Sequence, residues 1–208
     1  LAATHTHSGA EFRDTWLVEG TELVAPYLDG LPGKIAESVV AAKENARPVV
    51  VGGGEGECAI NINRRPVAPD GFVFTGRNWD GFADHAVSVV ALDGADGEPV
   101  ATIVGYACHP TVLGPANRLL SPDYPGHMRR VVERNVGGLC LFLQGAAGNQ
   151  GPVDGFIGDA AVPKRLGTRL GLEAAKVRLE IDPIPREERL VEIVPSGADL
   201  GMYDDEPA

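Results

Sequence analysis

The chain has 208 residues, 44% of them hydrophobic and 23% charged, which suits one sizeable core in a globular protein. Its formal net charge of −11, with no Lys/Arg block able to follow successive phosphates, argues against a nucleic-acid partner and against electrostatic attachment to anionic lipid. No apolar run reaches the roughly 20 residues of a transmembrane segment, and Cys58, Cys108 and Cys140 are too scattered for a disulfide framework or a thiolate metal site.

In chain order, residues 1–7 read as a strand end running into a Ser8-Gly9 turn. Side-chain alternation in such a strand puts His5 and His7 on one face. After a loop containing Trp16, the stretch from about Pro32 to Asn45 spaces Ile35, Val39 and Ala42 as a helix does. Pro48–Val51 predicts a short strand that stops at a flexible glycine loop, Gly52–Gly56, and residues 57–63 predict another strand entering the polar Asn63-Arg64-Arg65-Pro66 loop. Residues 85–92 and 99–108 predict an antiparallel hairpin, because Asp93–Gly97 between them is rich in turn formers. Residues 125–135 form a helical pattern with Met128, Val131 and Val132 as its apolar stripe.

The continuous apolar run Gly138–Leu143 predicts a central buried strand, ending in Gly145-Ala146-Ala147-Gly148-Asn149. A long helix follows over 161–178 and a last strand over 189–194, beyond which the chain is rich in Gly, Asp and Pro. The expectation is an α/β fold, a layered mixed β-sheet flanked by helices in a single domain over residues 1–195, with 196–208 a tail or the start of a further C-terminal part. A functional-looking motif so close to residue 1 leads us to expect part of a larger catalytic domain.

His5, His7 and His109 are the first candidates for chemistry. Neutral imidazoles suit zinc, and a catalytic zinc takes three protein ligands and leaves a position for water. Spacing alone leaves a metal site and ordinary hydrogen-bonded histidines equally open; His85 and His127, at element edges without a partner pattern, read as structural. Arg64 and Arg65 can bind a carboxylate or stabilise an oxyanion, although a solvated, salt-bridged loop is the better reading of such a pair. Gly145–Gly151 can bring backbone N–H groups to an anion, with Asn149 donating from its side chain, or can be a tight turn. Asp123 can orient His109 or cap the following helix.

Taken in order, THTHSG, NINRRP, ACHPTVLG, N-x-x-x-S-x-D-Y-x-G and FLQGAAGNQGP resemble the neutral (non-lysosomal) ceramidase family over about residues 1–175. The resemblance implies a zinc-dependent amidase that splits the N-acyl bond of ceramide into a sphingoid base and a fatty acid. It implies His5 and His109 as zinc ligands, His7 lining the site and Arg64 reaching toward the reacting centre. It also implies a further Glu and Tyr as ligands, for which the chain offers Tyr203 and Glu206 by residue type only. Gly151 stands where the family carries a serine.

The mechanism expected on that basis is attack of metal-activated water on an amide carbonyl, with His7 relaying a proton to the leaving group. Arg64 and the Gly145–Asn149 loop, including Asn149, would stabilise the oxyanion. The partner is then a small-molecule amide or lipid substrate. Two alternatives stand beside it: a ceramidase-like domain that has lost catalysis and serves as a binding or scaffold module, and a zinc hydrolase acting on a non-lipid amide or ester. The sequence assigns neither compartment nor oligomeric state.

Overall fold

The computed structural model describes residues 2–10, 19–183, 186–195 and 199–207. Four strands form the main sheet: β1 (Val50–Glu57), β3 (Ala86–Asp93), β4 (Pro99–Tyr106) and β5 (Leu139–Gln144), in the order β1-β3-β4-β5. The first three pair antiparallel and β5 joins β4 in parallel, so the sheet is mixed. Helices α2 (Asp123–Val136) and α3 (Ala161–Glu180) pack on each other and on one face of it. The buried core lies there, with Val87, Val89, Val104, Cys140 and Phe142 facing Met128, Val132, Leu166 and Leu170. Asp93 at the end of β3 and Arg178 near the end of α3 form a buried ion pair that closes this layer.

Several expectations are met and some are corrected. The hairpin of β3 and β4 turns through Gly94–Gly97, where Gly97 adopts φ 82°. The glycine run at 52–56 is strand rather than loop. Its glycines alternate toward α3, where a Cβ on Gly54 would lie 3.0 Å from Val177 and Ile181, and one on Gly52 or Gly56 closer still. These residues are glycine because a helix lies directly on the strand. The run at 138–143 forms β5, which ends the sheet instead of lying at its centre. Its odd face explains the continuous apolar pattern differently: Cys140 and Phe142 are buried, while Leu139, Leu141 and Leu143 are exposed among the described residues.

Helix α1 (Val24–Glu44) begins well before Pro32, after a 3-10 turn at Thr21–Leu23, and carries no buried residue among those described. Of residues 57–63, Glu57 ends β1 and Asn61–Asn63 form the short β2, which pairs antiparallel with β6 (Gln150–Pro152), a strand that the sequence pattern does not announce. At the C-terminal side β7 (Arg186–Pro195) pairs with β8 (Asp199–Pro207), so residues 199–207 form a strand. Trp16 lies outside the described residues. Tyr203 and Glu206 fall in β8, of which only the backbone pairing is described.

Candidate metal centre

The THTHSG segment is not a strand: residues 2–6 are irregular and 7–9 bend. His5 takes a left-handed backbone, φ 64°, so strand alternation is not what brings His5 and His7 together. A non-glycine residue held there costs on the order of 1–3 kcal/mol and persists only where surrounding contacts enforce it. Here the contacts are explicit. Thr6 Oγ1 donates to Ser121 O at 2.7 Å, Ser121 N–H to Ser8 O at 3.0 Å, and Asn117 Nδ2 to Ser8 Oγ at 3.3 Å. The segment is thereby pinned to the loop before α2.

His109 arrives from the other side, three residues beyond the end of β4. Its N–H donates to Gln150 O at 3.1 Å, and the preceding Cys108 carbonyl accepts from Tyr124 Oη at 2.6 Å and Gln144 Nε2 at 3.0 Å. The three imidazoles converge, with one ligand atom from each lying within 4.8 Å of the others. His5 Nε2 and His109 Nε2 are 3.0 Å apart, and the His7 ring centroid is 5.0 Å from that of His5 and 5.4 Å from that of His109.

The orienting partner of His109 is Ala147 O, which accepts from Nδ1 at 2.8 Å. A carbonyl only accepts, so Nδ1 carries the hydrogen and Nε2 keeps its lone pair. Asp123 is therefore not the group that orients His109. It is fully buried at the start of α2, where Oδ2 accepts from Leu113 N–H and Oδ1 from Tyr124 N–H, and burial raises its pKa.

Electrostatics favour the neutral ring at His7 and at His109. Burial, then the charges of His5 and Arg64, lower the His7 pKa against an opposing pull from Asp123. Burial, then Arg64, His5 and His7, lower that of His109 despite the Ala147 bond. Neutral imidazole is the form that binds a metal. Three imidazole nitrogens at one point suit zinc, whereas calcium and magnesium take oxygen ligands. The residues present thus fit the metal that the motifs imply.

The glycine-rich loop presents carbonyls to this region. Ala147 O holds His109; Gly148 O accepts from Arg64 Nε at 3.2 Å, Arg64 Nη2 at 3.1 Å and Arg65 Nη2 at 3.1 Å; Asn149 O accepts from Arg64 N–H at 2.7 Å. Arg64 Nη2 also stands 3.4 Å from His109 Nε2. The Gly145 N–H is used by Tyr106 O, and the Asn149 side chain is exposed. A Cβ on Gly151 would meet Arg64 Cδ at 3.3 Å, so the glycine lets the arginine stem lie against β6.

Beneath these groups lies a buried polar network that motif spacing does not reveal. Asn61 Nδ2 donates to Asp84 O, Ala107 O and Gln150 Oε1, and Asn61 Oδ1 accepts from Tyr106 Oη at 2.7 Å while facing His85 Nδ1 at 2.6 Å. That contact ties His85 into the network. The available signal was Asn61 itself, a polar residue between Ile60 and Ile62 that burial obliges to be fully bonded. Cys108 adjoins His109 but is fully buried, and burial pushes its thiol pKa up, which disfavours the reactive thiolate.

No family model matches the chain. It is 30% identical over 164 residues to the neutral ceramidase of Pseudomonas aeruginosa, covering 73% of this chain and 24% of that protein. It is 29% identical over 143 residues to neutral ceramidase B of Dictyostelium discoideum, covering 66% of this chain and 20% of that protein. Among solved structures, the neutral ceramidase of Pseudomonas aeruginosa superposes with a TM-score of 0.60 at 26% identity, over 86% of this chain and 30% of that one. A ceramidase complexed with C2 shares the fold, with a TM-score of 0.65 at 23% identity over 91% of this chain and 32% of that one. The chain thus spans about a fifth to a quarter of the length of these curated relatives.

Proposed function

This chain belongs to the neutral ceramidase family, matching a part of its members' length, and from that premise we propose that it carries the histidine portion of a metal-dependent site that hydrolyses an amide (N-acyl) bond. The observation that supports this most is the convergence of His5 Nε2 and His109 Nε2, with His109 Nδ1 tied to Ala147 O. His5 and His109 would hold zinc. A zinc ion in such a site supplies a Lewis acid that makes water a competent nucleophile near neutral pH.

The protein's own groups do the rest. Hydrolysis forms a C–O bond to water, breaks the C–N bond and delivers a proton to the departing amine. His7, with its pKa lowered and its ring beside the other two, would carry that proton. Arg64 Nη2, close to His109 Nε2, would face negative charge developing on the acyl oxygen, and Asn149 would offer its exposed amide at the same rim. Ceramide is the substrate that the relatives' names suggest.

The test is release of fatty acid from a short-chain ceramide by protein stripped with a chelator and then reloaded. Zinc should restore release in the wild type and not in His109→Ala. Release that ignores both metal and mutation would overturn the reading. Gly151, which removes the family's hydroxyl, favours the second reading, a ceramidase-like binding module; substrate binding without turnover in zinc-loaded protein would support that one.

A further inference from the structure

A cavity beside His7 is lined by apolar side chains and one arginine. It has a volume of about 490 Å³, within the roughly 300–1,000 Å³ of small-molecule pockets. His7 stands on one side and Leu113, Leu119, Leu120 and Phe156 line it, with Arg118 among them. Leu119, Leu120 and Phe156 expose 64%, 79% and 56% of their surfaces, an apolar lining open to a ligand. Phe156 is held at φ 57°, a cost that only enforced placement explains.

Arg118 is exposed and has no carboxylate partner among the described residues. That is unexpected in a chain with 29 acidic against 18 basic residues. Among the described residues, the side chains of Arg64 and Arg65 are likewise bonded to neutral acceptors: a carbonyl, a hydroxyl and an imidazole. Arg118 thus brings an exposed guanidinium with no carboxylate partner among the described residues to the lining of a cavity that also carries Leu119, Leu120 and Phe156. Arginine's planar fork suits a carboxylate there.

We propose that the site takes N-acyl compounds that combine an apolar chain with a carboxylate, of the N-acyl amino acid type, and that Arg118 binds the carboxylate and sets this preference. The inference rests on the amide-hydrolase reading, and names its substrate class. The reaction is unchanged: water adds to the acyl carbon, the C–N bond breaks, and the amine leaves protonated, here as a free amino acid.

The experiment compares N-octanoylglycine with N-octanoylethanolamine, near-isosteres that differ in a carboxylate against a hydroxymethyl group. The zinc-loaded wild type should favour the glycine conjugate in kcat/KM by at least about tenfold, the range of a charge-assisted hydrogen bond. Arg118→Ala should bring the ratio to about one, and Arg118→Lys should keep part of it. Calorimetric binding of N-octanoylglycine should weaken in Arg118→Ala to the same degree, a readout independent of turnover. Hydrolysis of both amides at equal efficiency, or equal loss on both in Arg118→Ala, would overturn the preference while leaving the hydrolase reading intact. Carboxylate-dependent binding through Arg118 without cleavage would sustain the preference and overturn the hydrolase reading; neither binding nor cleavage would overturn both.

Discussion

His109 Nδ1 and Ala147 O are 2.8 Å apart, and this bond between the end of β4 and the glycine-rich loop decides which nitrogen of His109 is available. The next two carbonyls of the loop, Gly148 O and Asn149 O, hold the guanidinium and the backbone of Arg64. One short stretch of main chain therefore sets both a candidate ligand and a candidate charge stabiliser.

Arg65 supports that stretch by spanning Gly148 O at 3.1 Å and Thr75 Oγ1 at 2.9 Å. Replacing it with alanine should loosen the loop and weaken zinc binding by about tenfold, the usual scale for groups that orient a ligand. Long-range ¹H–¹⁵N spectra of the metal-free protein should show the His109 ring shifting from one tautomer to a mixture. An unchanged tautomer with unchanged affinity would assign Arg65 to the surface only.

The histidines make acid stability predictable in sign. In the unfolded chain they titrate near 6.5, whereas burial lowers His7, His109 and His127 in the folded protein. Between those values the unfolded state binds more protons, so stability is full above about 6.5 and is lost as pH falls through the lowered folded values. Asp123 works in the opposite direction: its pKa is raised, so its contribution is complete below the unfolded carboxylate value and declines as pH rises through the folded one. Urea midpoints of metal-free protein should fall from pH 7.5 to pH 5.5, and His127→Asn should flatten the slope.

The glycines of β1 give a packing prediction. A Cβ at Gly54 would sit 3.0 Å from both Val177 and Ile181. Gly54→Ala should therefore cost about 1–3 kcal/mol through overpacking, read as a lower urea midpoint with an unchanged m-value. Gly53→Ala, which meets nothing within 4 Å, is the control and should change little.

The buried network under the site should be the more sensitive target. Asn61→Ala takes the side-chain partner from His85 Nδ1 and from the buried Ala107 O, and leaves Tyr106 Oη with Cys58 O and Ile60 N–H and Gln150 Oε1 with Asp84 N–H. Loss of a buried partner costs about 1–3 kcal/mol for each group stranded. Asn61→Asp, which keeps the acceptor and loses the donor, should be destabilised as well; a variant as stable as wild type would mean the network is not under strain of satisfaction.

Much of this architecture was legible in the sequence, and for identifiable reasons. The β3–β4 hairpin and helices α2 and α3 follow from turn residues and apolar period, which are local signals. The histidine trio is legible in the motifs, but His5 and His7 converge through a left-handed residue in a segment pinned by Ser121 and Asn117, not by strand alternation. The β1 glycines looked like a loop because their purpose, contact with α3, lies more than a hundred residues away. Asp123 was a reasonable candidate to orient His109, but a main-chain carbonyl has no sequence signature, and Ala147 took that part. The strand expected over 57–63 shortens to β2, and its partner β6 is illegible because a strand of three residues carries too little pattern to read.

The central claim is that His5 and His109 share a metal ion, and elemental analysis of purified protein tests it most directly. We expect about one zinc per chain in the wild type, lost in both His5→Ala and His109→Ala while circular dichroism shows the fold retained. Well-folded wild-type protein that holds no zinc after exposure to it, or variants that hold as much as the wild type, would contradict the account.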